Sequence, residues 1–210
     1  MVKGIIFDLD GVLVHTDELH YKAWKKIADE LEIPFDRTVN NRLRGVSRME
    51  SLEIILSYSD KKFSETEKQM LADEKNEEYK RLLGTISHKD LVEGAEKLLA
   101  ILKEKGIKVA IGSSSKNAKY ILSQLNIIDL FDAISDGNNI TKSKPDPEVF
   151  LKAAEYLYLK PEECMVVEDA KSGIDAAVSG GFKNFGIGDA ATYSKTDYPI
   201  NSLLDIALNV

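Results

Sequence analysis

The sequence predicts an α/β fold, a Rossmann-like parallel sheet core with an inserted all-helical cap domain. Three observations predict it. Short apolar runs bounded by turn residues recur at 4–7, 107–111, 133–134, 165–167 and 184–187, the pattern of strands buried on both faces. Helical periodicity separates most of these runs, which implies βαβ units. The stretch from about 17 to 85 breaks the alternation and reads as helices only.

The first strand, Gly4-Ile5-Ile6-Phe7, runs into Asp8. Helices follow over 18–31, 50–58 and 64–83, the last opened by a capping box of Ser64 and Glu67. The helix over 93–105 places Ala95, Leu98, Leu99 and Leu102 on one face, and Gly106 fits its C-cap. The second strand ends at Gly112-Ser113, and a helix over 117–125 leads to a weaker strand at 133–134. Asp146 is expected as N-cap, with Pro147 at the first helical position, of a helix reaching about 157. The strand at 165–167 runs into Glu168-Asp169, a helix over 169–178 ends at Gly180-Gly181, and the last strand ends at Gly188-Asp189. Linkers near 14–16 and 87–90 would divide the chain into a core domain of 1–15 and 88–210 and a cap of 16–87, hinged over the sheet.

Composition narrows the function classes. The chain has 210 residues, 43% hydrophobic and 30% charged, which excludes a disordered or fibrous protein. One cysteine, Cys164, cannot form an internal disulfide, so a reducing compartment is expected and the side chain reads as a small hydrophobe. A net charge of −7 argues against non-specific nucleic-acid binding but not against an anionic small substrate in a local basic pocket. Asp8 and Asp10 interrupt the N-terminal apolar run, unlike a signal peptide, and no run approaches the roughly 20 apolar residues of a membrane span. The expectation is a cytoplasmic monomer with neither a nucleic-acid nor a membrane partner.

In open parallel sheets, ligands bind outside the carboxyl ends of the strands. Those ends carry Asp8-Leu9-Asp10-Gly11, Ser113-Ser114-Ser115 and Glu168-Asp169, with Lys144 in the loop Ser143-Lys144-Pro145-Asp146-Pro147. Singly, each is an ordinary turn or helix cap. In this order, each after its own strand, they converge on one rim. Two carboxylates about 4 Å apart repel by roughly 4 kcal/mol at an effective dielectric of about 20, so a cation is required. Oxygen ligands suit Mg²⁺, and the nitrogen and sulfur ligands of a zinc site are missing. A carboxylate beside Mg²⁺, Lys144 and Ser113 is placed to attack phosphorus and form an aspartyl phosphate.

These four motifs, Asp8-Leu9-Asp10-Gly11-Val12, Ser113, Lys144 in Ser-Lys-Pro-Asp-Pro, and Glu168-Asp169, resemble those of the haloacid dehalogenase superfamily, whose small α-helical cap the insert is similar to. Within it the chain resembles the β-phosphoglucomutase branch over almost its full length. The points of match are Thr16, His20, Trp24, Arg44-Gly45-Val46-Ser47-Arg48, Lys75-Asn76 and Ser113-Ser114-Ser115-Lys116-Asn117. The resemblance implies interconversion of β-glucose 1-phosphate and glucose 6-phosphate through a bisphosphate, with a small phosphorylated sugar as the only partner.

It also implies roles. Asp8 would be the nucleophile, and Asp10 the general acid and base. The Asp10 carbonyl would ligate Mg²⁺ with Asp8, Glu168 and Asp169. Ser113 and Lys144 would hold the transferring phosphoryl group. Arg48, Ser115, Lys116 and Asn117 would hold the second phosphate, where a guanidinium grips two oxygens at once. Gly45 and Val46 would line the sugar pocket, His20 and Lys75 would position the sugar and Asp10, and Thr16 would lie at the hinge. Each cap residue has a plainer reading: Trp24 as cap core, His20 as a core or surface imidazole, Lys75 as a solvated lysine, Arg44 and Arg48 as loop charges. Two positions depart from the branch, His15 where an acidic residue is common and Arg44 where lysine is usual. A phosphatase would share Asp8, Asp10, Mg²⁺, Ser113 and Lys144 but admit water to the aspartyl phosphate. A phospho-acceptor signalling module would need no second carboxylate at Asp10.

Overall fold

Side chains alternate across a strand, and the strands here feed two cores at once. Ile5, Phe7, Val109, Ile111, Met165, Val167 and Phe185 share one apolar cluster, and Ile6, Ala110, Cys164 and Val166 another. That double burial is why the strands read as unbroken apolar runs. The computed structural model describes residues 2–43 and 46–210. Its strands are β1 (Gly4–Phe7), β2 (Lys108–Gly112), β3 (Ala133–Ser135), β4 (Cys164–Glu168), β5 (Lys183–Gly186) and β6 (Tyr198–Pro199). They form one parallel sheet in the order β3-β2-β1-β4-β5-β6. The chain leaves β1 to one side for β2 and β3, then returns to the other side for β4. The order therefore reverses between β1 and β4, where a crevice opens at the carboxyl ends.

Helices α5 (Ala95–Glu104) and α6 (Ala118–Gln124) cover the first cluster, and α7 (Glu148–Tyr156) and α8 (Lys171–Ser179) the second. On the second face the strands keep small residues so that helices approach closely: a Cβ on Gly112 would lie 2.6 Å from the Phe150 ring. The insert comprises α1 (Asp17–Glu30), α2 (Arg37–Asn41), α3 (Arg48–Leu56) and α4 (Glu65–Leu83). It has its own core of Trp24, Ile27, Phe35, Leu52, Ile55 and Ala72, while Ala23, Tyr79 and Leu83, at its base, belong to the sheet's first cluster.

The local predictions hold with shifts of a residue or two. Ser64 and Glu67 make the expected capping box, and Ser47 with Glu50 makes another that starts α3 at Arg48 rather than at 50. Helix α7 begins one residue later than predicted, with Pro147 as its N-cap; Asp146 acts from outside, its Oδ1 accepting from the Glu148 N–H at 3.0 Å. Lys105 is the C-cap of α5, and Gly106 follows with φ +69°. The sequence pattern did not disclose α2, five residues long, or β6, a two-residue edge pair containing Pro199. The chain entering the insert and the chain leaving it meet at the edge of the expected linkers: Val14 bridges Leu91, and the Val92 N–H donates to the Leu13 carbonyl at 2.9 Å.

Candidate active site

The site begins where β1 ends. The Asp8 N–H still donates to the Val167 carbonyl at 2.9 Å, so the backbone is sheet-like up to the first carboxylate. Gly11 then turns the chain with φ +87°, a conformation that favours glycine. A side chain there would also collide with Asp169, since a Cβ would lie 2.1 Å from its Oδ2. A second glycine does the same for Glu168: a Cβ on Gly173 would lie 1.9 Å from that carboxyl. Glu168 is further fixed through Oε2, which accepts from the N–H groups of Asp169 and Ala170 at 2.9 Å each.

Lys144 stands between the carboxylates, donating to Asp8 Oδ1 and to Glu168 Oε1, both at 2.6 Å. It is 3% exposed. Burial works against its charge, but Asp8 and Glu168 outweigh that and hold its pKa above the usual lysine value. Its loop is stapled by Glu148, whose Oε2 accepts from the Thr141 N–H and hydroxyl at 2.9 Å and from the Lys142 N–H at 2.8 Å. Those bonds hold the Glu148 carboxyl down at about 2.

Asp8, Glu168 and Asp169 are buried and offer carboxylate oxygens all within 4.8 Å of one another. One lysine does not neutralise three carboxylates with Asp10 nearby. Burial lifts the Asp8 carboxyl well above its usual range against the pull of Lys144, and Glu168, Asp10 and Asp169 add to the rise. The all-oxygen donor set and the space kept free by Gly11 and Gly173 fit Mg²⁺. The Asp10 side chain stands apart from this cluster and pairs with the Thr16 hydroxyl, which donates to its Oδ1. Burial raises the Asp10 pKa.

The insert supplies a second set of groups. On α4 the buried residues are Ala72, Lys75, Tyr79 and Leu83, one helical stripe with a lysine in it. Lys75 is 3% exposed, so the reading of a solvated lysine fails. Its Nζ lies 2.9 Å from His20 Nδ1, 4.9 Å from the centre of the Trp24 ring and 4.4 Å from that of Tyr79. Burial, and then the Arg48 charge, bring its pKa down to about 7, with Asp10 pulling the other way. His20 stacks on Tyr79 with ring centres 4.0 Å apart, and burial holds it well below its ordinary value, with Lys75 and Arg48 adding to the effect. Arg48 is the first residue of α3, so its guanidinium and the helix N-terminus lie together, a combination that attracts anions.

Both sets line one cavity of about 370 Å³. Asp8, Asp10, His20, Trp24, Val46, Arg48, Lys75, Ser113, Ser115, Lys116, Asn117, Lys144, Glu168 and Asp169 all reach it. Trp24 serves two purposes, as insert core and as cavity wall. Thr16 does not line it and acts through Asp10. Arg44 and Gly45 lie outside the described residues. The loop after β2 is built on its own serines: the Ser115 N–H donates to Ser113 Oγ and the Asn117 N–H to Ser115 Oγ, both at 3.1 Å. Sequence reasoning missed Asn40, Ser51, Asn76 and Tyr79 as lining residues. For Tyr79 the signal was present, in the helical spacing that sets it four residues after Lys75.

The chain matches the model of the haloacid dehalogenase-like hydrolase family over residues 2–181. It is 43% identical to the β-phosphoglucomutase of Bacillus subtilis over 211 residues, covering 100% of this chain and 93% of that protein. It is 32% identical to a phosphorylated carbohydrates phosphatase of Thermotoga maritima, over 87% of this chain and 83% of that one. The crystal structure of β-phosphoglucomutase from Clostridium difficile superposes with a TM-score of 0.94 at 39% identity, covering 100% of this chain and 98% of the other.

Proposed function

The chain belongs to the haloacid dehalogenase-like hydrolases, and on that footing we propose that it interconverts β-glucose 1-phosphate and glucose 6-phosphate through an aspartyl-phosphate enzyme and a glucose 1,6-bisphosphate intermediate. The observation that supports this reading is a single cavity lined by more cationic and N–H/O–H donor groups than one phosphate needs. Asp8, Lys144 and Ser113 line it together with Arg48, Ser115, Lys116 and Asn117. A phosphatase of small esters needs only Asp8, Asp10, Ser113 and Lys144 with the metal.

Asp8 attacks phosphorus of the bisphosphate, and the sugar oxygen leaves with a proton from Asp10. In the reverse sense a sugar hydroxyl gives its proton to Asp10 as its oxygen attacks the phosphorus held on Asp8. Burial raises the Asp10 pKa, which favours a carboxyl that both gives and takes the proton. Asp8, Glu168 and Asp169 with the Asp10 carbonyl would hold Mg²⁺, which would supply positive charge to let an anionic nucleophile meet an anionic phosphoryl group. Lys144 and Ser113 orient the transferring oxygens. Val46 and Trp24 border the sugar, and His20 and Lys75 direct its hydroxyls toward Asp10.

The insert, 16–87, swings on linkers at 14–16 and 87–90 over a core of 1–15 and 88–210, and its closure keeps water from the aspartyl phosphate. Cys164 is buried and unpaired, in keeping with a reducing cytoplasm, where we place the enzyme as a monomer. None of the described helices is long and apolar enough to cross a membrane.

The test is to supply β-glucose 1-phosphate, Mg²⁺ and a trace of glucose 1,6-bisphosphate. Glucose 6-phosphate without equivalent free phosphate is the expected product. Free phosphate as the main product assigns the chain to the phosphatases instead.

A further inference from the structure

One hydrogen bond beside the cavity joins the insert to the sheet body and has no part in the chemistry described above. Asn117 Nδ2 donates to Asn76 Oδ1 at 3.0 Å. Asn117 follows the serine loop after β2, and Asn76 stands on α4, one residue beyond Lys75. Both line the cavity. A carboxamide nitrogen carries two N–H donors. With one spent on Asn76, the plane of the Asn117 amide is set, and the other N–H is left for a phosphate oxygen in the space both residues border. The Asn117 backbone is already fixed by its bond to Ser115 Oγ, so the side-chain amide is the part of this residue that still requires orientation.

We propose that Asn76 is a positioning residue: its carboxamide oxygen orients Asn117 toward the second phosphate and latches the insert onto the sheet body, so that the aspartyl phosphate is passed to a sugar hydroxyl rather than to water. The inference rests on the mutase reading above. The bond exists only while α4 lies against the loop after β2, and it is lost when the insert swings away. A part-buried neutral hydrogen bond shifts such an equilibrium by roughly 2- to 10-fold. A bound phosphate on Asn117 strengthens the latch by holding the same amide in place, which ties closure to occupancy of the far end of the cavity.

The experiment compares wild type, Asn76→Leu and Asn76→Asp, with β-glucose 1-phosphate, Mg²⁺ and priming bisphosphate, measuring glucose 6-phosphate and inorganic phosphate together. Leucine removes the acceptor, whereas aspartate keeps an acceptor oxygen. Asn76→Leu should raise the ratio of phosphate released to glucose 6-phosphate formed by about 2- to 10-fold, with thermal unfolding unchanged. Asn76→Asp should keep the wild-type ratio even where its charge raises KM. A wild-type ratio in Asn76→Leu, or equal ratios in the two variants, overturns the latch. If wild type itself makes mainly free phosphate, the mutase reading fails, and the latch is decided by hydrogen exchange at 14–16 and 113–118. Exchange that is 2- to 10-fold faster in Asn76→Leu and wild-type in Asn76→Asp upholds it, and equal exchange in all three overturns it.

Discussion

The floor and the roof of the cavity solve opposite electrostatic problems. The floor, at the ends of β1 and β4, gathers carboxylates around Lys144, with Glu168 held by two backbone N–H groups and two glycines leaving the carboxylates the space a Cβ would fill. The roof, on α1, α3 and α4, gathers Lys75 and Arg48, and the partners of Lys75 are aromatic faces and a neutral imidazole. The floor carries part of its own counter-charge. The roof leaves most of its charge for an incoming anion to balance, and the Lys75 ammonium, buried beside Arg48 with Asp10 only partly offsetting, has its pKa brought down to about 7. An anionic substrate completes both halves at once.

Substitutions test this contrast from the floor upward. Asp8→Asn should abolish turnover, because no other carboxylate in the cluster is placed on β1; residual mutase activity above background would remove Asp8 as nucleophile. Asp10→Asn should cost about 10²- to 10⁴-fold in kcat, the range of general acid–base catalysis, while Mg²⁺ affinity, read by titration, stays near wild type. Gly173→Ala drives a methyl into Glu168 and should weaken Mg²⁺ binding by about 10- to 100-fold, the effect of disturbing a ligand's support. An unchanged Mg²⁺ titration would show that Glu168 has more freedom than the contrast requires.

The roof gives smaller effects with a pH signature. Free-enzyme kcat/KM should fall as pH rises through about 7, where Lys75 loses its proton. In Lys75→Met that falling limb should vanish, leaving a lower plateau. Stability should move the other way. Between pH 7 and 10.5 the unfolded chain keeps a proton on Lys75 that the fold sheds, so wild-type stability rises with pH across that window. Lys75→Met should therefore melt higher than wild type, by a few degrees at pH 6 where the charge is fully buried, with the gain shrinking toward pH 10. A constant gain at every pH would mean that packing, not charge, separates the two proteins.

The sequence disclosed the floor more fully than the roof, for a physical reason. Asp8, Lys144, Glu168 and Asp169 each lie at or near the end of a recognisable strand or in a loop of marked composition, so chain order alone brings them to one rim. Lys75, His20 and Arg48 sit within helices whose rotation decides what they face, and their roles came from resemblance instead. Gly173 was legible by neither route, and Asn76 was marked by the resemblance without a role, because each matters only against a residue distant along the chain or packed onto it in space. Local signals had the same limits: Ser64 and Glu67 fixed a helix start to the residue, whereas Asp146 beside Pro147 left the start of α7 one residue adrift. The five-residue α2 and the two-residue β6 are too short to show a period at all.

Val14 is bridged to Asp10 on one side and to Leu91 on the other, and its carbonyl accepts from the Gly11 N–H at 2.7 Å. The entry and exit strings of the lid thus run side by side and are knotted to the very loop that bears the acid. A tilt of the insert of the kind proposed above would be felt at that carboxyl within four residues. On the proposed hinge, aim and access would become one mechanical coordinate, and a mutation that stiffens the 14–16 stretch should misdirect the proton even when every reacting group is intact.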